Sequence, residues 1–351
     1  MRWRIAVRRF RLSGSPPTRY ASGNMPAILT EQLTKHFPPD IKAVDGIDLS
    51  IDAGRIFGFL GPNGSGKTTT VRMLTTLLRP TSGRAEVDGL DVARRAGDVR
   101  RRIGVALQEA GLDENSTGRE LLNLQARLYS VPSARIKERI DSLLGIVDLG
   151  EAADRLVKTY SGGMKRRLDL AAALVHGPKI VFLDEPTTGL DPLGREVIWR
   201  YVKQLNDEEG ATIFLTTQYL EEADRLADEV AIVDRGRVVA RGSPAELKAS
   251  IGTDVVTVRV PGGADEAAKA EQALRKLDGA SDIRTVEDSV VVYIKEGSTA
   301  IPAIVLRLSD ASIPVREVTL ARPTLDDVFL QKTGHHIESG EQSPPPAERR
   351  Q

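Results

Sequence analysis

The sequence predicts an α/β fold built on a largely parallel sheet, followed by a second, smaller α+β unit. Three observations predict it. Short apolar runs at residues 55–60, 103–107, 180–183 and 213–215 read as buried strands, and they alternate with stretches of helical periodicity. A glycine-rich loop at 61–66 lies between the first of those runs and a helical pattern. Beyond Gly252 the apolar pattern changes to strand, helix, strand, strand, helix, strand.

Taken in order, residues 1–26 differ from the rest: residues 1–24 carry arginine at 2, 4, 8, 9, 11 and 19 and no acid. They are expected to form a basic, disordered extension, with Met25 the effective start. From Ala27 the pattern is β-like, and Ile47, Leu49 and Ile51 alternate with Asp48, Ser50 and Asp52, the period of a half-buried strand. A helix is expected over 66–78, stopped by Pro80. Residues 117–149 read as mostly helical. They open with Thr117 three positions before Glu120, the spacing of a capping box, and belong to a helical subdomain over about 112–176. Residues 229–234 and 237–240 flank Arg235-Gly236 as a terminal hairpin, closing a first domain over 27–250. In the second domain, 252–333, the order βαββαβ predicts the split arrangement of a ferredoxin-like fold. Residues 334–351, with three consecutive prolines and many charges, are expected to be a solvated tail.

Composition narrows the function classes. Forty-nine basic side chains balance forty-nine acidic ones, so no net field favours nucleic acid as a partner. With no cysteine, disulfides and thiolate metal sites are excluded. No apolar run approaches 18 residues, so any membrane pathway must come from another polypeptide.

The strongest chemical signal is Gly61-Pro62-Asn63-Gly64-Ser65-Gly66-Lys67-Thr68-Thr69. It fits the phosphate-loop pattern of glycine, four residues, glycine, lysine, then serine or threonine. Glycines let the backbone curl so that successive N–H groups face phosphate oxygens, and the helix that follows aims its positive end at the same anion. Lys67 supplies charge near the β- and γ-phosphates, and the Thr68 hydroxyl suits Mg²⁺. An ordinary glycine turn needs neither the strand before the loop nor the helix after it.

Two further segments gain meaning from that loop. The run 180–183 ends in Asp184-Glu185, which delivers two carboxylates to the C-terminal end of a strand, where open α/β sheets bind ligands. A strand ending in a solvated acidic turn is the alternative. Beside a phosphate loop, Asp184 suits Mg²⁺ and Glu185 suits polarising the attacking water. Tyr160-Ser161-Gly162-Gly163-Met164-Lys165 precedes a helical pattern reaching Val175 and makes a second glycine-rich helix start, by itself readable as a cap. One nucleotide cannot easily use both loops of one chain. A head-to-tail pair, with each ATP between one copy's Lys67 loop and the other's Ser161, is the economical geometry.

In identity, order and spacing, the loop at 61–69, Ser161-Gly162-Gly163 and Asp184-Glu185 resemble the P-loop NTPase cassette of ABC transporters over residues 27–250. The resemblance implies a mixed-sheet core with antiparallel β and helical subdomains, and ATP with Mg²⁺ as cofactors. It implies peripheral attachment at the cytoplasmic face of a membrane, and two partners: a separately encoded permease and a second cassette. It implies Gln108 as the residue that senses Mg²⁺ and the permease, Asp191 as a contact across the dimer, and Phe37 as the aromatic on adenine. A strand-end polar residue and a core or turn aromatic remain the plain alternatives for Gln108 and Phe37. Where most such cassettes carry a histidine at the γ-phosphate, this chain has Gln218, which can hydrogen-bond but cannot become an imidazolium. That leaves Glu185 as the expected base.

Gln218, the C-terminal extension and the run 323–330 look like the daunorubicin-resistance type of exporter subunit. Thr324 with Asp327 also reads as a simple helix cap. Competing readings are a soluble cassette ATPase acting on ribosomes or nucleic acid, and an import ATPase with a regulatory C-terminal domain.

Overall fold

The structure is a computed structural model and describes residues 25–333, apart from 109–110, 252–253 and 276. The expectations for residues 1–24 and 334–351 lie outside the described residues.

The chain opens with two long antiparallel strands, β1 (Ile28–Phe37) and β2 (Ile41–Ile51), whose alternating residues Ile47, Leu49 and Ile51 are buried as the period-2 pattern requires. The fully buried β3 (Ile56–Leu60) leads through the glycine loop into α1 (Lys67–Leu74). This helix closes four residues short of the expected end. Thr76 adopts a left-handed conformation, φ 67°, and the N–H groups of Leu77 and Leu78 fold back onto the carbonyl of Arg72 at 2.8 and 2.9 Å. The chain has therefore turned before Pro80 is reached. β4 (Ser82–Val87) and β5 (Leu90–Asp91) complete a four-stranded sheet ordered β2-β1-β4-β5.

After α2 (Ala96–Arg102) and β6 (Ile103–Ala106) come the helices α3 (Gly118–Leu128), α4 (Ser133–Ile146) and α5 (Gly162–Leu174). The capping box is present: Thr117 Oγ1 accepts the Glu120 N–H at 3.2 Å, and Glu120 Oε2 accepts the Thr117 N–H at 2.9 Å. The stretch expected to be mostly helical holds two helices, α3 and α4, parted where Ser130 turns left-handed, φ 58°, just ahead of Pro132. Then follow β7 (Ile180–Asp184), α6 (Pro192–Glu209), β8 (Thr212–Thr217), α7 (Leu220–Leu226), β9 (Glu229–Asp234), β10 (Arg237–Gly242) and α8 (Pro244–Ile251).

These strands form one six-stranded mixed sheet, ordered β10-β9-β3-β8-β7-β6, parallel throughout except for the β9–β10 hairpin. Successive residues of a central strand feed opposite cores. Val181 and Leu183 face the cluster built with the helices α3 to α6, while Ile180 and Phe182 face the one shared with α1 and the antiparallel sheet. Phe57, Phe59 and Phe182 tilt against Phe214 with ring centroids 5.4–5.6 Å apart. Burial on both faces explains why these strands read as unbroken apolar runs. The strand order also brings the C-terminal ends of β3, β8 and β7 side by side.

The last unit contains β11 (Asp254–Arg259), α9 (Gly263–Leu274), β12 (Ala280–Val286), β13 (Ser289–Ile294), α10 (Gly297–Asp310) and β14 (Glu317–Ala321). Its four strands are antiparallel in the order β12-β13-β11-β14, and α9 and α10 share the core with one face of the sheet. That is the ferredoxin-like arrangement the βαββαβ order predicts. The closing helix, α11 (Leu325–Thr333), leaves this unit. Leu325, Val328 and Phe329 pack with Leu60, Ala223, Val230 and Ile232 of the first domain. Thr324 and Asp327 cap it reciprocally, with N–H to carboxylate at 2.8 Å and N–H to hydroxyl at 3.3 Å.

Candidate active site

The loop after β3 is held in one shape by steric demands. A Cβ on Gly66, whose φ is +103°, would sit 2.3 Å from the carbonyl oxygen of Ala43; a Cβ on Gly61 would meet that of Val233 at 2.3 Å. Only glycine fits at either position. Gly66 is also the N-cap of α1, and no side chain caps that helix. Its first N–H groups therefore face the loop cavity as an anion seat. Asn63 and Gly64 are exposed at the tip, Pro62, Thr68 and Thr69 are half-buried, and Ser65 is buried with its Oγ lacking any protein partner.

Lys67 is buried under this loop. Its Nζ donates to the carbonyls of Gly61 and Pro62 at 2.8 and 3.0 Å and pairs with Glu185 Oε1 at 3.3 Å. Burial pulls the Lys67 ammonium below its usual range, opposed by the charge of Glu185. Glu185 follows β7 in a left-handed conformation, φ 49°. Its N–H donates to the carbonyl and the hydroxyl of Thr216, each at 3.1 Å, and Thr188 donates to its carboxylate at 3.3 Å.

Asp184 is fully buried. Its Oδ1 accepts the Thr216 hydroxyl at 2.5 Å and the Thr68 hydroxyl at 3.3 Å, and its Oδ2 is buried without a protein partner. Among the described residues no group of three or more His, Cys, Asp or Glu side chains forms a cation cage. A hydroxyl and a carboxylate with one spare oxygen at the edge of an anion seat suit Mg²⁺, which takes few protein ligands beside substrate phosphates. The residues present therefore fit that ion.

Gln218 follows β8 and is buried, with Oε1 lacking a protein partner. It lines a cavity of about 230 Å³ with Arg195, Trp199, Tyr219 and Asp326. Phe37 closes β1 opposite Ile41, two residues before the Ala43 that abuts Gly66, and is about one-third exposed at 37%. The structure thus brings Phe37, the 61–69 loop, Asp184, Glu185 and Gln218 to one end of two neighbouring sheets. Gln108 lies exposed just beyond β6.

Ser161 and Asp191 present different surfaces. Ser161 caps α5 by accepting the Met164 N–H at 3.2 Å and is exposed together with Gly162, while Gly163 is half-buried. Asp191 caps α6 through the Gly194 N–H at 2.7 Å and is exposed.

Sequence reasoning missed several polar groups of this neighbourhood. Arg166 is buried, on the same face of α5 as Leu170 and Ala173; an arginine on an apolar stripe was the available signal. Its partner Asp169 is pushed up to about 6 by burial, which outweighs the ion pair at 3.3 Å. Glu222 is completely buried and accepts the Trp199 Nε1–H at 3.0 Å; burial raises its carboxyl above the usual range. Thr216, which donates to the Asp184 carboxylate and accepts the Glu185 N–H, carries no motif of its own.

The profile of the ABC transporter family matches residues 44–188, and that of the ATP-binding protein DrrA1-3-like C-terminal domain matches 242–333. The daunorubicin/doxorubicin resistance ATP-binding protein DrrA of Streptomyces peucetius is 47% identical over 88% of this chain and 93% of its own. The chain belongs to the ATP-binding subunits of ABC transporters, in the DrrA-like branch. This cassette subunit is 48% identical to daunorubicin resistance ATP-binding protein DrrA3 of Streptomyces coeruleorubidus over 84% of the chain and 92% of that protein. It is 40% identical to Nod factor export ATP-binding protein I of Cupriavidus metallidurans over 89% and 99% of the two chains. Among solved structures, cbiO1 from Clostridium perfringens superposes with a TM-score of 0.59 at 29% identity, covering 65% of this chain and 92% of that one. A dimeric post-hydrolysis ATP-binding cassette bound to ADP and Pi gives 0.58 at 25%, covering 62% and 98%. The cassette subunit binds nucleotide and is an ATP hydrolase coupled to transport. No helix among the described residues is long and apolar enough to cross a membrane.

Proposed function

We propose that this cassette subunit powers export of a hydrophobic natural product through a separate permease, by closing on a second cassette over ATP and parting after hydrolysis. The observation that carries this reading is the convergence of Lys67, Glu185, Asp184 and Thr68 beside the uncapped start of α1, while the Ser161 tip of α5 stays exposed. One seat is built for phosphates. The other offers a second helix start to whatever approaches it.

In this reading the amides of 64–69 and Lys67 cradle the β- and γ-phosphates, and Phe37 stacks on adenine. Thr68 and Asp184, with Gln108 beside them, would hold Mg²⁺, which would supply positive charge to the phosphates. Glu185 accepts the proton of the attacking water, and Gln218 donates its amide to the γ-phosphate. Ser161, Gly162 and Gly163 of a second copy complete the seat, with Asp191 at the junction. Hydrolysis removes the group that satisfies both helix ends, and the pair parts.

Leu124, Leu128 and Tyr129 lie exposed on and just after α3 and offer the permease an apolar footing. That attachment places the chain peripherally on the cytoplasmic face of the membrane. The names of the relatives support a hydrophobic cargo of the anthracycline class. The balanced net charge gives no electrostatic reason for a nucleic-acid partner.

The test is ATP-dependent uptake of a fluorescent anthracycline into inverted vesicles carrying the chain with its permease. The reading predicts uptake that needs both proteins and disappears with Lys67→Ala. ATP turnover stimulated by RNA or DNA, with no uptake, would contradict it.

A further inference from the structure

Arg166, on α5, ties together two other stretches of the site. Its Nε donates to the carbonyl of Pro186 at 3.1 Å, its Nη2 to that of Asp184 at 2.7 Å, and its Nη1 to that of Leu107. Asp169, one turn along α5, supplies the counter-charge. The held carbonyls flank Glu185 on both sides and immediately precede Gln108. Glu185 itself stands in a left-handed turn that L side chains adopt rarely, with its own N–H fixed by Thr216. Restraining both neighbours of such a residue fixes where its carboxylate points.

Packing alone does not account for this side chain. The same face of α5 buries Leu170 and Ala173, and a leucine or methionine would fill a helix–sheet contact without carrying charge out of water. The fork of a guanidinium reaches several carbonyls at once, as no other side chain does. Arg166 also sits five residues after Ser161, on the helix whose first turn Ser161 caps. A shift of α5 as a rigid rod carries the guanidinium, and the three carbonyls are bound to follow.

We propose that Arg166 is a positioning residue for ATP hydrolysis, linking the Ser161 helix to the backbone that aims Glu185 and leads into Gln108. The inference rests on the reading of Glu185 as the base and of Ser161 as the contact to a second cassette. Contact at the Ser161 tip then sets the geometry of the base in the same chain, so binding at one seat conditions turnover at the other.

The experiment uses the full chain with Arg166→Gln, Arg166→Lys and Glu185→Gln. It measures kcat and KM for Mg·ATP, Kd for trinitrophenyl-ATP, and the melting temperature. Arg166→Gln is expected to lower kcat about 10- to 100-fold while KM and Kd move less than about threefold, as misplacement of a catalytic group does. Arg166→Lys, keeping the charge and part of the donor set, is expected to fall between. A kcat for Arg166→Gln within about twofold of wild type, or a loss that only follows the folded fraction, overturns the proposal. If Arg166→Gln does not fold, Arg166→Lys decides: lowered kcat at unchanged Kd and melting supports it, and wild-type kcat overturns it. Glu185→Gln separates the two layers. Full turnover there sinks the base assignment, whereas a silent Glu185→Gln beside a normal Arg166→Gln sinks the positioning role alone.

Discussion

The two glycine-rich helix starts of this chain look alike in sequence and are finished differently. At α1 the loop is walled in: Gly66 has a carbonyl 2.3 Å from where a Cβ would be, no side chain caps the helix, and a buried lysine and two carboxylates face it. At α5 the tip is open: Gly162 has no atom within 4 Å of a would-be Cβ, and Ser161 caps the helix. A seat enclosed by its own chain is ready for phosphate. An open, self-capped tip is a surface waiting for something from outside. In the proposed function it is this difference in enclosure, rather than in sequence, that separates the roles of the two loops.

Four tests probe that contrast. The largest expected effect is at Lys67. Lys67→Ala removes the buried charge of the seat and leaves Glu185 unpaired, and should lower ATP affinity and turnover at least ~100-fold by equilibrium binding and phosphate release. Unchanged binding would mean the phosphates sit elsewhere. Next is Gly66→Ala. The left-handed φ together with the clash should cost roughly 2–4 kcal/mol in urea unfolding, whereas Gly162→Ala should change stability by less than about 0.5 kcal/mol. Equal costs would erase the claimed difference.

The third concerns pH. Burial raises the Asp169 carboxyl from 3.8 to about 6, so between those values the native chain holds the proton more tightly than the unfolded chain. The stability this proton supplies is present below about pH 4 and lost as pH rises through about 6, on the order of 2–3 kcal/mol. Urea midpoints of wild type and Asp169→Asn should therefore diverge, with the wild type losing ground as pH climbs from 4 to 7. Parallel curves would show that Asp169 titrates normally. The last is Ser161→Ala, which removes one cap and should cost about 1 kcal/mol in urea unfolding of the isolated chain.

Much of the seat was legible because each requirement is local. The loop at 61–69 needs glycines and a lysine at fixed offsets, and Asp184-Glu185 needs only a strand in front of it. The capping boxes at Thr117 and Thr324 are local too, and both form. The βαββαβ order was enough to predict the β12-β13-β11-β14 sheet, since handed, short connections leave few alternatives. What stayed hidden depends on distant partners. Arg166 meets carbonyls 18 to 59 positions away, and neither its bonds nor those of Thr216 to Asp184 leave a pattern in sequence. The packing of Leu325, Val328 and Phe329 onto the first domain, rather than onto their own sheet, was equally invisible, because an apolar stripe states that a face is covered and not by what. The early close of α1 follows from a left-handed threonine, for which the sequence offers no glycine as a marker.

The most direct measurement mixes two inactive variants, Lys67→Ala and Ser161→Phe. If each seat is completed by the tip of another copy, a mixed pair contains one whole seat: an intact Lys67 from one chain facing an intact Ser161 from the other. ATP turnover that neither variant shows alone should then appear in the mixture, at less than the wild-type rate because the whole seat's Glu185 belongs to the chain that carries Ser161→Phe. A mixture that forms mixed pairs and stays silent would contradict the shared seat.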